Sequence, residues 1–417
     1  MSAPASDRPT VVVLGAWDTK AEPLGRLVDG LRARGCAVHR VDFGTRSDAD
    51  AETTAADLAD RTGVDRGGDA GRAATLAAMG AAAAEVVAGL HAAGRVDGLV
   101  SAAGSGGADV FAAVLPALPF GVPKVLVSTI VAGDTRPYLQ GLDAQLVFPV
   151  VDVEGDNHVL RSVLDRTAAS LAAQATEHHA ARATPSPGET TGMRAEPHGT
   201  VAVSMFGITT PCVGHVRHRL EARGDEVLAF HANGTGGASM ERLVADGLVD
   251  AVVDVTTTEL ADLVAGGTLS AGEDRLTAAA AAGVPQVVVP GALDTINFGP
   301  PDTVPPAMRG RTIHQHNRFV TLVRTDAEES ARLGELVGER VARSPATTTV
   351  VLPLGGVSAL DVPGGDFWDP EADEAFRAAL RRTAGDDVRV VTSEHHVNDE
   401  AFAEVLVAEL DRLRGRG

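Results

Sequence analysis

Two cysteines in 417 residues, Cys36 and Cys212, leave no disulfide framework, so the expected compartment is a reducing cytoplasm. Aromatic residues are scarce at 3%, so Val, Ala and Leu must fill the core, which suits layered α/β packing better than an aromatic-rich sandwich. Basic residues are outnumbered: 36 Lys and Arg stand against 56 Asp and Glu, a net charge of −20 that argues against nucleic acid as a partner. A small anionic ligand is still allowed, because local N–H donors, a few cations or a metal ion can hold one. Gly, Pro or charge breaks the most apolar windows before about 18 residues, which predicts no membrane span. The start MSAPASDRPT has neither the charged opening nor the apolar run of a signal peptide.

What the chain has instead is alternation. Short Val-rich runs (VVVLG at Val11–Gly15, AVHRVDF, VDGLVSAAG, KVLVS, AQLVFPV) are separated by helix-length Ala/Leu-rich stretches, among them Arg72 to Ala92. Strands spaced in this way pair in parallel, with helices over both faces of the sheet. The segment Ala181–Gly199 is rich in Pro, Gly, Thr and charge and reads as a linker. Beyond it the alternation resumes with TVAVSMF, EVLAFH, DAVVDV, QVVVP, FVTLVR, TTVVLPL and VRVVTS. Asp326 and Glu329 form a capping-box pattern, and Phe402, Leu406, Leu410 and Leu413 make one helical stripe. The expected fold is α/β: two Rossmann-like, doubly wound parallel-sheet domains, 1–180 and 200–417, joined by a linker at 181–199. An interdomain cleft is the expected ligand site.

Open parallel sheets bind ligands where strands end and helices begin. The polar and glycine-rich residues cluster at such points. GAWDTK follows the first strand and carries Gly15, Asp18, Thr19 and Lys20. AAGSGGADV brings Gly104, Ser105, Gly106 and Gly107 to a helix start, where backbone N–H groups can cradle an oxyanion. STIVAGDTRP adds Thr129, Gly133, Asp134, Thr135 and Arg136. Asp18 and Asp134 could hold Mg²⁺ or a ribose, and Lys20 and Arg136 could neutralise phosphate; each also serves as an ordinary capping or surface residue. Neither glycine run matches a Walker A loop or a G-x-G-x-x-G fingerprint, so the run is equally a plain tight turn.

The second half repeats the theme. Gly234, Thr235, Gly236 and Gly237 form a second cradle beside His231. Thr256, Thr257, Thr258 and Glu259 follow the next strand, with Asp294 and Asn297 in PGALDTINFG and Arg324 closing FVTLVR. His314, His316 and Asn317 lie in HQHN, where histidines two apart on a strand share a face and can serve as a base or metal ligands. Thr209, Thr210 and Cys212 open a helix, a place that stabilises a thiolate; a small structural residue is the alternative there.

These blocks, in this order, resemble the family of Tm-one-like ATP-binding proteins, named for the tomato mosaic virus resistance protein. GAWDTKAEPL, GSGGADV, GVPKVLVSTIVAGDTRPY, HANGTGGASMERL, DVTTTELADLVAGGTLSAGEDRL, PGALDTINFG and HHVNDEAFA carry the resemblance across nearly the whole chain. It implies ATP with Mg²⁺ at the glycine, Asp18–Lys20 and Thr129–Arg136 positions of the first domain, Asp18 and Asp134 being the metal candidates. Trp17 and Ala102-Ala103 depart from that pattern. The leading functional expectation is an ATP-dependent ligase or transferase acting on a small anionic carboxylate. His231, Glu259, Asp294 and His314 would be its catalytic candidates, and the second-domain threonines, glycines, Cys212, Asn297, His316, Asn317 and Arg324 its substrate contacts. The alternatives are a non-catalytic nucleotide-binding protein that docks on a protein partner, and an ATP-independent hydrolase or lyase using Cys212 or the HQHN histidines. A homo-oligomer is expected from the size and fold class.

Overall fold

The computed structural model describes residues 7–67, 71–139, 141–183 and 198–415. It divides into two compact units, Met1–Met193 and Arg194–Gly417. Of the expected linker, residues 184–197 lie outside the described set, and the helix before it, His158–Ala183, runs past residue 181.

In the first unit five strands, β1 (Thr10–Gly15), β2 (Ala37–Asp42), β3 (Gly98–Ala103), β4 (Lys124–Ser128) and β5 (Ala144–Val147), pair in parallel in the order β2-β1-β3-β4-β5. Side chains alternate across a strand, and both faces of β1 are covered. Val11 and Val13 pack under the helices Ala21–Arg32 and His158–Ala183. Val12 and Leu14 pack under Arg72–Ala92 and Ser105–Val114. Against the sequence expectation, Arg72–Ala92 is long and apolar enough, by length and composition, to cross a membrane. Here its Met79, Ala82, Ala83 and Val87 are core residues of this unit. Small side chains let it approach its neighbour closely: a Cβ added at Gly80 would lie 3.3 Å from that of Ala113.

The second unit holds β6 (Thr200–Met205), β7 (Glu226–His231), β8 (Ala251–Thr256), β9 (Gln286–Gly291), β10 (Thr295–Phe298), β11 (Ile313–Asn317), β12 (Val320–Arg324), β13 (Thr348–Pro353) and β14 (Arg389–Ser393). Six of them make a parallel sheet in the order β14-β13-β9-β8-β6-β7. FVTLVR does not join that sheet. As β12 it is the centre of a separate antiparallel sheet, β10-β12-β11. The reason is local: Arg318 and Phe319 alone join β11 to β12, too few residues for a crossover. The Asp326 capping box forms as expected, with both reciprocal bonds to Glu329 present. Phe402, Leu406 and Leu410 are fully buried along the last helix, Glu400–Leu413.

In both main sheets the chain moves outward in opposite directions from one point, between β1 and β3 and again between β6 and β8. The carboxyl ends of those strand pairs are the topological switch points, where doubly wound sheets open a crevice.

Candidate functional site

At the β1/β3 switch point lies a crevice of about 200 Å³ lined by Asp18, Thr19, Lys20 and the whole run Gly104–Gly107. Seven of the residues singled out in the sequence therefore meet in one place. The helix Ser105–Val114 starts here with Gly104 as its N-cap and no side-chain cap. Among the described residues no protein acceptor meets the N–H groups of Ser105, Gly106 and Gly107; Ala108 is the first to bond, to the Gly104 carbonyl. Two more helices begin at this wall, Ala21–Arg32 after Lys20 and Arg72–Ala92 after Gly71, also without side-chain caps. Their positive dipole ends, the orphan N–H groups and the cations of Lys20 and Arg72 give the crevice the chemistry of an anion site. Arg72 carries no sequence signal of its role, because it stands alone after GDAG rather than in a motif.

The four glycine-loop positions differ in what they do. A Cβ at Gly104 would meet nothing within 4 Å, so its backbone faces open space. At Gly107 it would stand 2.7 Å from the Ala103 Cβ and 3.3 Å from the Phe43 ring, so this glycine serves packing. Gly15 is likewise structural, since an added Cβ would run into the Leu24 side chain. Asp18 is exposed and accepts the Arg46 N–H at 3.0 Å, which ties the crevice rim to the loop after β2. Trp17 does not line the crevice; it packs against the opposite core layer, under the Arg40 guanidinium at 5.9 Å.

The third strand-end segment is not part of this lining. Thr129, Gly133, Asp134, Thr135 and Arg136 follow β4, one strand further out, and Asp134 is clasped by Arg136 at 2.7 Å on the surface. Those hydrogen bonds pull the Asp134 carboxyl down to about 2. As a metal ligand Asp134 would first have to give up this partner. A larger groove, about 490 Å³, lies along the helices Ala21–Arg32 and His158–Ala183, but its Arg26 and Arg161 are in ion pairs with Asp165 and Asp156.

Near the second switch point the strand-end groups after β7 and β8 meet one another. Glu259 is fully buried; its Oε1 accepts the N–H groups of Gly234 at 2.7 Å and Gly237 at 3.0 Å, and its Oε2 accepts Arg275 Nε at 2.7 Å. The second glycine cradle thus already holds an anion, the protein's own carboxylate. Arg275, with no exposed surface, also donates to both oxygens of Asp254 at 2.6 and 2.7 Å and to Glu241 at 3.1 Å. Burial pushes the Glu259 carboxyl up while Arg275 and the two amides offset part of that push; the surrounding acids raise Arg275 well above its ordinary value against the opposing effect of its burial. The threonines are spent in the same way. Thr209 Oγ1 and Thr256 Oγ1 bond each other at 2.7 Å, Thr257 donates to the Val289 carbonyl, and Thr258 bonds Thr295 and Asn297. Asn297 is held by Asp262, whose carboxyl burial pushes up to about 7. Glu259, expected as a catalytic group, and these threonines, expected as substrate contacts, are thus bonded to partners within the unit.

Asp294 and Arg324 do meet, at a small cavity by the carboxyl ends of β9 and β13. Asp294 sits two residues beyond Ala292, a buried non-glycine residue at φ +57, a conformation anchored by its N–H bond to the Val357 carbonyl. Cys212 lies in the first turn of Thr210–Glu221, but it is fully buried and desolvation pushes its thiol up to about 12, the opposite of the thiolate stabilisation expected at a helix start. Thr210 donates to the Phe206 carbonyl, and His231 is exposed, its ring stacked on Phe206 at 5.4 Å. His314, His316 and Asn317 sit on the outer strand β11, the two imidazoles 6.4 Å apart by their centroids. Among the described residues no group of three His, Cys, Asp or Glu is placed to hold a metal ion.

Fold and crevice together define a two-unit, doubly wound α/β protein whose first unit carries, at its switch point, a crevice lined by a glycine-rich helix start, Lys20 and Arg72. The chain belongs to the Uncharacterised protein family (UPF0261): residues 9–180 match that family's N-terminal domain and residues 198–414 its C-terminal domain. It is 40% identical to the UPF0261 protein mlr3387 of Mesorhizobium japonicum over 97% of this chain and 99% of that protein. It is 39% identical to the ToMV resistance protein Tm-1(GCR237) of Solanum lycopersicum over 74% of this chain, which is 40% of that longer protein. The likeness to the Tm-one-like family noted in the sequence is therefore one of kinship. Among solved structures, the UDP-GlcNAc 2-epimerase of Methanocaldococcus jannaschii aligns over 97% of this chain and 99% of that one, at 9% identity and a TM-score of 0.23. A likeness that weak says nothing of ligand or reaction.

Proposed function

We propose that the first unit binds ATP as its Mg²⁺ complex at the β1/β3 switch point, and that the protein uses it to activate or transform a small carboxylate-type metabolite. The observation that carries this reading is the convergence on one crevice of three helix starts without side-chain caps, the open glycine backbone at Gly104, and the Lys20 and Arg72 cations. The donor set fits a polyphosphate, and Asp18 with the Thr19 and Ser105 hydroxyls fits a Mg²⁺ that takes its remaining ligands from phosphate and water. When bound, the ion offsets charge on the phosphates. Lys20 and Arg72 would hold the outer phosphate oxygens, and the Ser105–Gly107 amides the inner ones. His231, on the surface at a strand end of the second unit, is the base candidate whose side chain is open to an acceptor.

A second reading is favoured by the burial of Glu259 and Asp294 inside the second unit: nucleotide binding without turnover, with the bound form docking on a protein partner. Calorimetry with MgATP tests the shared premise. Lys20→Ala and Arg72→Ala should each weaken binding by about tenfold, the worth of one lost charge-assisted contact. An absence of binding heat from the wild-type protein sinks both readings. Turnover of ATP in the presence of small carboxylic acids supports the first, and tight binding with no turnover supports the second.

A further inference from the structure

The crevice at the β1/β3 switch point offers about 200 Å³. Pockets that enclose a whole drug-sized ligand run to about 300–1,000 Å³, so this one has room for a phosphate chain and not for a nucleoside besides. The donors in its lining are the Ser105–Gly107 amides and the Lys20 and Arg72 cations. Among the described residues no carboxylate is in an ion pair with either cation, so both charges are available to an anion. A base needs other groups: an open aromatic face, or side-chain donors and acceptors set against the ring edge. Among the described lining residues none is Asn, Gln, His, Tyr or Trp. The aromatic residue there, Phe43, is 1% exposed, its ring lying against Gly107.

The sugar is no better served. Dinucleotide-binding βαβ units hold the ribose with an acidic residue about 20 residues past the first turn, and Asp42, which ends β2, is the nearest match. Here it is fully buried, and its Oδ1 accepts the Gly44 N–H at 2.8 Å and the Trp17 N–H at 3.3 Å. Its Oδ2 is buried as well. Asp42 therefore pins the loop after β2 and presents no oxygen to a hydroxyl outside.

Resting on the reading that this crevice binds MgATP, we infer that it recognises the polyphosphate chain alone, so that GTP, CTP and inorganic tripolyphosphate bind about as well as ATP. A site built to hydrogen-bond a base rejects a ring without the matching groups by about 10⁴-fold or more. A site that grips phosphate oxygens gives every triphosphate nearly one affinity, because the part that differs between them lies beyond its walls. The two behaviours are orders of magnitude apart.

The test is calorimetry of the full chain with the Mg²⁺ complexes of ATP, GTP, CTP and tripolyphosphate, and with adenosine, at equal ionic strength. The four anions should bind within about tenfold of one another, the worth of one ordinary contact, and adenosine should give no heat. Arg72→Ala, at an exposed position, should weaken all four by one common factor, and Lys20→Ala should do the same independently. ATP binding tighter than GTP, CTP or tripolyphosphate by more than about tenfold overturns the inference, as does a variant that loses affinity for ATP alone. Either result leaves ATP bound and the MgATP reading standing. An absence of heat from all four anions sinks that reading and the inference with it.

Discussion

Replacing Glu259 by alanine removes the anion that closes the second glycine cradle. Three N–H groups, those of Gly234 and Gly237 and Arg275 Nε, lose their acceptor in a region with no exposed surface. Arg275 keeps Asp254 on two bonds, so the guanidinium is not stranded, and the loss falls at the usual range for breaking a buried ion pair, about 4 kcal/mol. With a urea slope of about 2.5 kcal/mol/M, the midpoint should fall by roughly 1.6 M. The two tryptophans divide between the units, Trp17 in the first and Trp368 in the second, so Trp17→Phe leaves a fluorescence signal from the second unit alone. If the cradle is an anion site that happens to be filled, small carboxylates should partly restore the variant. Acetate at about ten times its dissociation constant would return about 1.4 kcal/mol, where chloride at equal ionic strength returns nothing. A loss under about 1 kcal/mol, or rescue by chloride as good as by acetate, would refute the reasoning.

The two glycines of the first cradle should separate stability from binding. Gly107→Ala, with contacts of 2.7 and 3.3 Å to meet, should destabilise the first unit by about 1–3 kcal/mol, whereas Gly104→Ala, at φ −79 in open space, should melt like the wild type yet bind MgATP more weakly in calorimetry. Burial raises Asp262 to about 7 and Asp294, Asp361 and Asp373 to about 6. Folded-state values above the unfolded value near 4 mean that this stabilisation is complete below about pH 4 and is lost as pH rises through 6 to 7. In sodium buffers the Trp368 urea midpoint should therefore fall between about pH 5 and pH 8, and Asp294→Asn should remove about 1.4 kcal/mol of that fall; a midpoint that climbs over the same range would contradict the assignment. Cys36 and Cys212, both buried and both with thiols raised by desolvation, should resist alkylation in the native protein and react on unfolding, as a mass-spectrometric count of labelled thiols would report.

Much of the architecture was legible because it is local. Val runs of period two, alanine-rich helices and the Asp326–Glu329 cap depend on neighbours a few residues away, and KVLVS and Arg72–Ala92 form over the very residues the pattern marked. The meeting of Asp18–Lys20 with Gly104–Gly107 was legible too, since parallel strands of one doubly wound sheet bring their carboxyl ends to one edge. The antiparallel sheet was not, because strand alternation carries no sign for direction except the length of the connection between β11 and β12.

Composition and periodicity determined two α/β units with glycine turns at their strand ends. Whether a glycine turn stays open was decided only by tertiary structure. GSGG and GTGG read alike along the chain, yet the first faces a crevice and the second is filled by Glu259, 22 and 25 residues from the amides it caps. One sign of this lay in Asp254, a charge inside the buried strand AVVDVT, which had to find a partner, and Arg275 is that partner. Sequence can state that a buried charge needs an opposite one; distance in the folded chain decides which residue supplies it, and so which of two similar turns remains free to bind.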